Sequence, residues 1–158
     1  MERFRNPSRQ GGFTLIEMAI VLVIIGLILG AILKGQDLIT SARGKRFASF
    51  VRSAETAQWA HLDRYGKFNS TASDLASRMD TFKNETIALG GDSLTLSFVN
   101  GNKTIQVNAT NGPNEDVGAY YEAFDTSIDG QSDYDDGLVH CNGSTSWEQC
   151  QSLDYDFD

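Results

Sequence analysis

Between Gly12 and Leu33 the chain reads GFTLIEMAIVLVIIGLILGAIL, and the 21 residues from Phe13 to Leu33 carry a single charge, Glu17. As an α-helix rising about 1.5 Å per residue, this run is long enough to span a hydrocarbon core of roughly 30 Å. A carboxylate inside such a span is costly, so an acid retained there points to a function and to a partner. If the backbone is cut between Gly12 and Phe13, the new ammonium on Phe13 lies four residues before Glu17. A positive terminus, an acid in the first helical turn and an apolar helix together make a docking device.

Simpler explanations of the run do not fit. A secretory signal peptide has an apolar region of about 7–15 residues and a small-x-small cleavage site, whereas this run is longer and no A-x-A pattern follows it. A plain signal anchor has no use for Glu17. The segment GGFTLIEMAIVLVIIGLILGAILKGQDLITSAR, with the residues around it to about position 46, resembles the N-terminus of type IV pilins and type II secretion pseudopilins. Members of that family carry a short basic leader ending in Gly. A prepilin peptidase cuts after the Gly and methylates the exposed Phe, and a Glu five residues into the mature chain pairs with a neighbour's N-terminal amine.

The resemblance implies a leader at 1–12, with Arg3, Arg5 and Arg9 against Glu2. It implies processing at Gly12 and Phe13, and assembly through Phe13 and Glu17. The partners it implies are the prepilin peptidase, an inner-membrane assembly platform, membrane lipid before assembly, and other pilins in a homo- or hetero-oligomeric filament. The location it implies is a single inner-membrane pass with the N-terminus cytoplasmic, then an extracellular pilus or a periplasmic pseudopilus. A count of cations alone opposes that orientation, because Lys34, Arg43, Lys45 and Arg46 follow the span. The leader motif outweighs the count, since its peptidase requires the N-terminus inside. Many type IV pilins have a Pro about 22 residues into the mature chain; here that position is Lys34.

Apolar residues continue at helical spacing beyond the span, through Leu38, Ile39, Ala42, Phe47, Phe50, Val51, Ala54, Ala57, Leu62 and Tyr65. No Pro interrupts 13–66, so one helix of about 80 Å is predicted. Gly26 and Gly30 form a G-x-x-x-G pair that permits close helix contact, although Gly is common in membrane helices anyway. The expected organisation is a leader at 1–12, a membrane or filament-core helix at 13–33, an amphipathic continuation at 34–66 and a globular head at 67–158. The expected fold class is α+β and pilin-like: the long helix packed on a small antiparallel sheet, with a C-terminal disulfide loop.

Within the head the period changes to two. Leu94, Leu96 and Phe98 alternate with polar residues, Asn100-Gly101 turns, and Ile105 and Val107 alternate again, which is a β-hairpin pattern. Residues 114–128 predict an amphipathic helix opened by Asn114, and 138–141 a last strand. The Ser/Thr/Ala-rich stretch Asn69–Met79 carries no clear period. Cys141 and Cys150 are the only cysteines, and in an exported chain such a pair predicts a disulfide around a short loop; the spacing is neither C-x-x-C nor a zinc pattern. A C-terminal disulfide loop also occurs in many type IV pilins.

Charge divides along the chain. Residues 34–67 have seven Lys/Arg against three acids, a net of +4, whereas 68–158 have three Lys/Arg against sixteen acids, a net of −13. Such a head lacks the clustered cations that phosphate neutralisation needs, so no nucleic-acid partner is expected. Asp125, Asp129, Asp133, Asp135 and Asp136 fall within DTSIDGQSDYDDG. Carboxylates and turn carbonyls of this kind can ligate a hard cation, Ca2+ being the candidate, although the spacing is not that of an EF-hand. The competing explanation is a solvated loop whose Asp side chains cap turns.

Nothing in the chain predicts an enzyme. His61 and His140 are the only histidines, and H-E-x-x-H, G-x-S-x-G and P-loop patterns are missing. Trp147, inside the cysteine loop, is either an exposed contact residue or, more simply, an anchor for the loop. The expected function is a structural subunit, a pilin or minor pilin. The alternatives are a type II secretion pseudopilin, or an anchored periplasmic calcium- or ligand-binding domain that never polymerises.

Overall fold

The computed structural model describes residues 13–157. The leader, with Gly12, and the terminal Asp158 lie outside the described residues. The chain divides into two units, one ending at Leu38 and one beginning at Ile39.

In the first unit, helix α1 (Leu15–Tyr65) begins directly after Thr14. Every side chain from Phe13 to Lys34 is exposed, and the helix is long and apolar enough to cross a membrane. A helix satisfies all its interior backbone groups within itself, which hydrocarbon demands. It runs through Lys34 without interruption. Gly26 and Gly30 adjoin open space, so a close approach by another helix is sterically free there.

In the second unit, α1 continues and buries Gly44, Phe47, Val51, Ala54, Gln58 and His61, at steps of three and four that keep one face inward. The apolar pattern located only part of this stripe. Leu38, Ile39 and Tyr65 are exposed, while Gly44, Gln58 and His61 are buried. Each of these three has a local reason. A side chain at Gly44 would press on Ala123 at 3.3 Å, and Gln58 and His61 are held by hydrogen bonds to the chain that follows the helix.

The segment after α1 forms the short helix α2 (Ala72–Arg78), within the stretch that carried no period. Strands β1 (Thr86–Leu89), β2 (Asp92–Val99) and β3 (Thr104–Ala109) then form an antiparallel meander. The predicted hairpin is present, with Leu94↔Ala109 through Val99↔Thr104 in register. Its turn is a short 3-10 stretch, Asn100–Asn102, in which Asn100, Gly101 and Asn102 all have positive φ, a conformation Asn and Gly tolerate best. Leu94, Leu96, Phe98, Ile105 and Val107 point into the core.

Helix α3 (Glu115–Ile128) opens as expected at Asn114, whose side-chain oxygen accepts from the Val117 N–H at 2.9 Å. Its Phe124 and Tyr121 rings meet Phe47 of α1 at 5.7 and 5.6 Å. Strand β4 (Val139–Asn142) closely matches the predicted last strand, but it is not the last. A further strand, β5 (Ser152–Asp156), lies between β3 and β4 in the order β1-β2-β3-β5-β4, with every pair antiparallel. This is an α+β pilin-like fold with the Cys141–Cys150 disulfide closing the loop before β5. In the entropic model a loop of this size stabilises by roughly 2–3 kcal/mol.

That loop is anchored rather than presented. Trp147 is buried, and the 3-10 turn Trp147–Gln149 sits directly on α3 at Gly118. A Cβ at Gly118 would lie 2.8 Å from the Glu148 nitrogen and from the Trp147 carbonyl, both backbone atoms that cannot swing aside. Gly118→Val is therefore expected to destabilise the second unit by about 2–4 kcal/mol, above the usual overpacking cost because backbone must move. Thermal unfolding of the detergent-solubilised chain checks this, and an unchanged midpoint would refute the close-packing argument.

Candidate functional site at the start of the long helix

The sequence T-L-I-E at Thr14–Glu17 has the capping-box pattern, a hydroxyl residue followed three positions later by an acid. The structure forms that box. The Thr14 backbone N–H donates to Glu17 Oε2 at 2.8 Å and its hydroxyl donates to the same oxygen at 2.9 Å. The Glu17 N–H in turn faces Thr14 Oγ1 at 3.3 Å. The T-x-x-E spacing is legible in the sequence and adds a capping role to the charge and position that mark Glu17. The box fixes the carboxylate beside the helix's first free N–H groups, where negative charge is favoured by the helix dipole.

Both Thr14 bonds use Oε2, and among the described residues Oε1 takes no hydrogen bond. Phe13 immediately precedes the box and is 81% exposed. Thus the structure presents Phe13, a positioned carboxylate and an uncovered apolar helix in sequence. Together these can accept a cationic group at the carboxylate and bury the apolar surface against similar helices.

The acidic loop is organised differently. The five aspartates do not converge: among the described residues no group of three or more His, Cys, Asp or Glu side chains is placed to hold a metal ion. Their carboxylates instead tie down backbone. Asp125, fully buried on α3, accepts from the Asp133 N–H at 3.1 Å, and Asp129 accepts from the N–H groups of Leu138 and Val139 at 3.0 and 3.1 Å. Asp133 accepts from the Asp136 N–H, and Asp136 from the Gly137 N–H, whereas Asp135 is exposed. Asp125 Oδ1 is buried without a partner among the described residues. Burial pushes the Asp125 carboxyl up to about 6; the Asp133 N–H opposes the shift, and the nearby Asp129 and Asp133 charges add to it.

Comparison with known proteins supports the N-terminal device. Residues 7–33 match the family model described as the prokaryotic N-terminal methylation motif, which is the prepilin motif of type IV pilins and pseudopilins. The match takes in Gly12, Phe13, Glu17 and the apolar run, and stops before the second unit. No curated protein and no solved structure matches the chain.

Proposed function

We propose that this chain is a structural subunit, a pilin or minor pilin, of a type IV pilus-like filament. The observation that carries the reading is the methylation motif lying across residues 7–33, which takes in the apolar start of a long helix whose side chains are exposed as far as Lys34. A prepilin peptidase cuts after Gly12 and methylates Phe13. The cut chain waits in the inner membrane, N-terminus inside, with the apolar half of α1 in lipid. On assembly, the ammonium of Phe13 and the carboxylate of Glu17 pair between neighbouring subunits. The apolar helices exchange lipid for one another, which suits the open approach at Gly26 and Gly30. A secretion pseudopilin shares the motif and is the alternative reading.

Intact mass of the protein from cell envelopes and from sheared surface material, with and without the peptidase, tests the proposal. The expected result is a chain beginning at Phe13 with one added methyl group, present in sheared filaments. The same processed chain confined to the envelope would favour the pseudopilin. A chain still beginning at Met1 would remove both in favour of an anchored domain.

A further inference from the structure

Near the C-terminal end of α1 the second unit has a pocket of about 510 Å³, within the size range of small-ligand sites. Its walls include Tyr65, Lys67, Ser70, Arg78 and Asn102. Gly66, at φ +70°, turns the chain back after the helix and brings residues 67–70 alongside its last turn.

Behind these residues is a rigid polar floor. Gln58 donates to the Asn69 carbonyl at 2.9 Å and accepts from the Asn69 N–H at 2.8 Å, with both residues buried. His61, only 4% exposed, places Nδ1 2.9 Å from the Lys67 carbonyl. A carbonyl only accepts, so Nδ1 carries the proton and Nε2 is the acceptor, 3.4 Å from the Asn69 amide nitrogen. The same amide nitrogen donates to Asp74 at 2.8 Å, and the Asp74 carboxylate receives Arg78 Nε at 2.8 Å. Tyr65 lies against the His61 ring at 4.5 Å between centroids. The floor is thereby organised before any ligand arrives.

Two further features select the ligand. Lys67 and Arg78 put two cations around the pocket against one acid, Asp74. Arg78 gives Nε to Asp74 and also interacts with the Tyr65 hydroxyl, which holds its guanidinium at the pocket wall, and the fold uses the Lys67 backbone carbonyl rather than its ammonium. The remaining wall offers the Ser70 hydroxyl and the Asn102 amide beside the exposed ring of Tyr65. A cationic pair, small hydroxyl and amide groups and an aromatic face together suit a hydroxylated ring bearing a carboxylate. We infer that this pocket binds an acidic sugar of the hexuronate class, independently of filament assembly.

The test is titration of the detergent-solubilised full-length chain with galacturonate, galactose and inorganic phosphate, followed by calorimetry or by amide NMR shifts of residues 61–78. Galacturonate is expected to bind, with galactose and phosphate each weaker by about tenfold or more, the scale of one charge-assisted hydrogen bond. Lys67→Gln is expected to lose about the same factor while its unfolding midpoint stays unchanged, because among the described residues only its backbone carbonyl, not its ammonium, takes part in a bond. Tyr65→Ala provides a second variant, expected to weaken galacturonate and leave phosphate unaffected. No binding of galacturonate, equal binding of galactose or phosphate, or an unchanged affinity in Lys67→Gln would each overturn the assignment.

Discussion

A Glu17→Ala chain is expected to be cleaved and methylated normally, to reach the membrane, and to be depleted from sheared filaments by about a hundredfold or more. In the proposed filament the Phe13 ammonium of one subunit lies among apolar helices, where an unpaired charge is far more costly than in water. Removing the carboxylate leaves that ammonium without its partner, whereas the peptidase acts several residues earlier. Thr14→Val separates two roles of the same turn. It removes the hydroxyl of the capping box while keeping the charge of Glu17, so incorporation is expected to fall only modestly, by about tenfold at most. Quantitative immunoblotting of sheared and envelope fractions checks both. Equal incorporation of Glu17→Ala and the parent chain would end the assembly role of Glu17.

Asp125 underlies the second large effect. Its folded-state pKa of about 6 lies above the ordinary 3.8, so between those values the folded chain holds a proton that the unfolded chain has lost. Stability contributed by this group is therefore complete at low pH. It declines as pH rises from about 4 to about 6, then stays low, a loss of up to about 3 kcal/mol. Asp125→Asn copies the protonated form: it keeps an oxygen for the Asp133 N–H and puts a neutral amide in place of the partnerless oxygen, removing the repulsion with the nearby Asp129. The variant is expected to be more stable than the parent above pH 7, by about 1–3 kcal/mol, and the advantage should vanish near pH 4. Chemical unfolding of both chains across that range measures it. Parallel stability curves would show that Asp125 stays ionised in the folded chain.

The aspartates show what residue type alone leaves undecided. Five carboxylates around a Gly-turned loop have the chemistry of a cation site, and nothing local distinguishes that use from turn capping. The difference is geometric: Asp125 and Asp129 sit one helical turn apart, at the end of α3, and both reach for loop N–H groups. Gln58 and His61 were hidden for a related reason. Neither is apolar, so a search for an apolar stripe passes over them, yet hydrogen bonds to residues 67–69 make their burial affordable.

Local sequence determined whatever depends on near neighbours along the chain. The apolar period and the lack of Pro set α1, Asn114 opens α3, alternating Leu, Phe, Ile and Val residues mark β2 and β3, and two cysteines nine apart find each other. The prepilin motif is likewise contiguous, which is why it can be read directly. Tertiary structure alone decided the place of β5. The stretch SLDYD lies beyond the predicted last strand and carries no predicted element, but between β3 and β4 its backbone is paired on both sides, and Leu153 and Tyr155 are buried. Gln106 donates to Asp154 at 2.9 Å and Thr104 donates to Asp156, giving the acids partners nearly fifty or more residues away. Such pairing is specified by which edges are left open once β2, β3 and β4 exist, and a period along one segment carries no record of a distant edge.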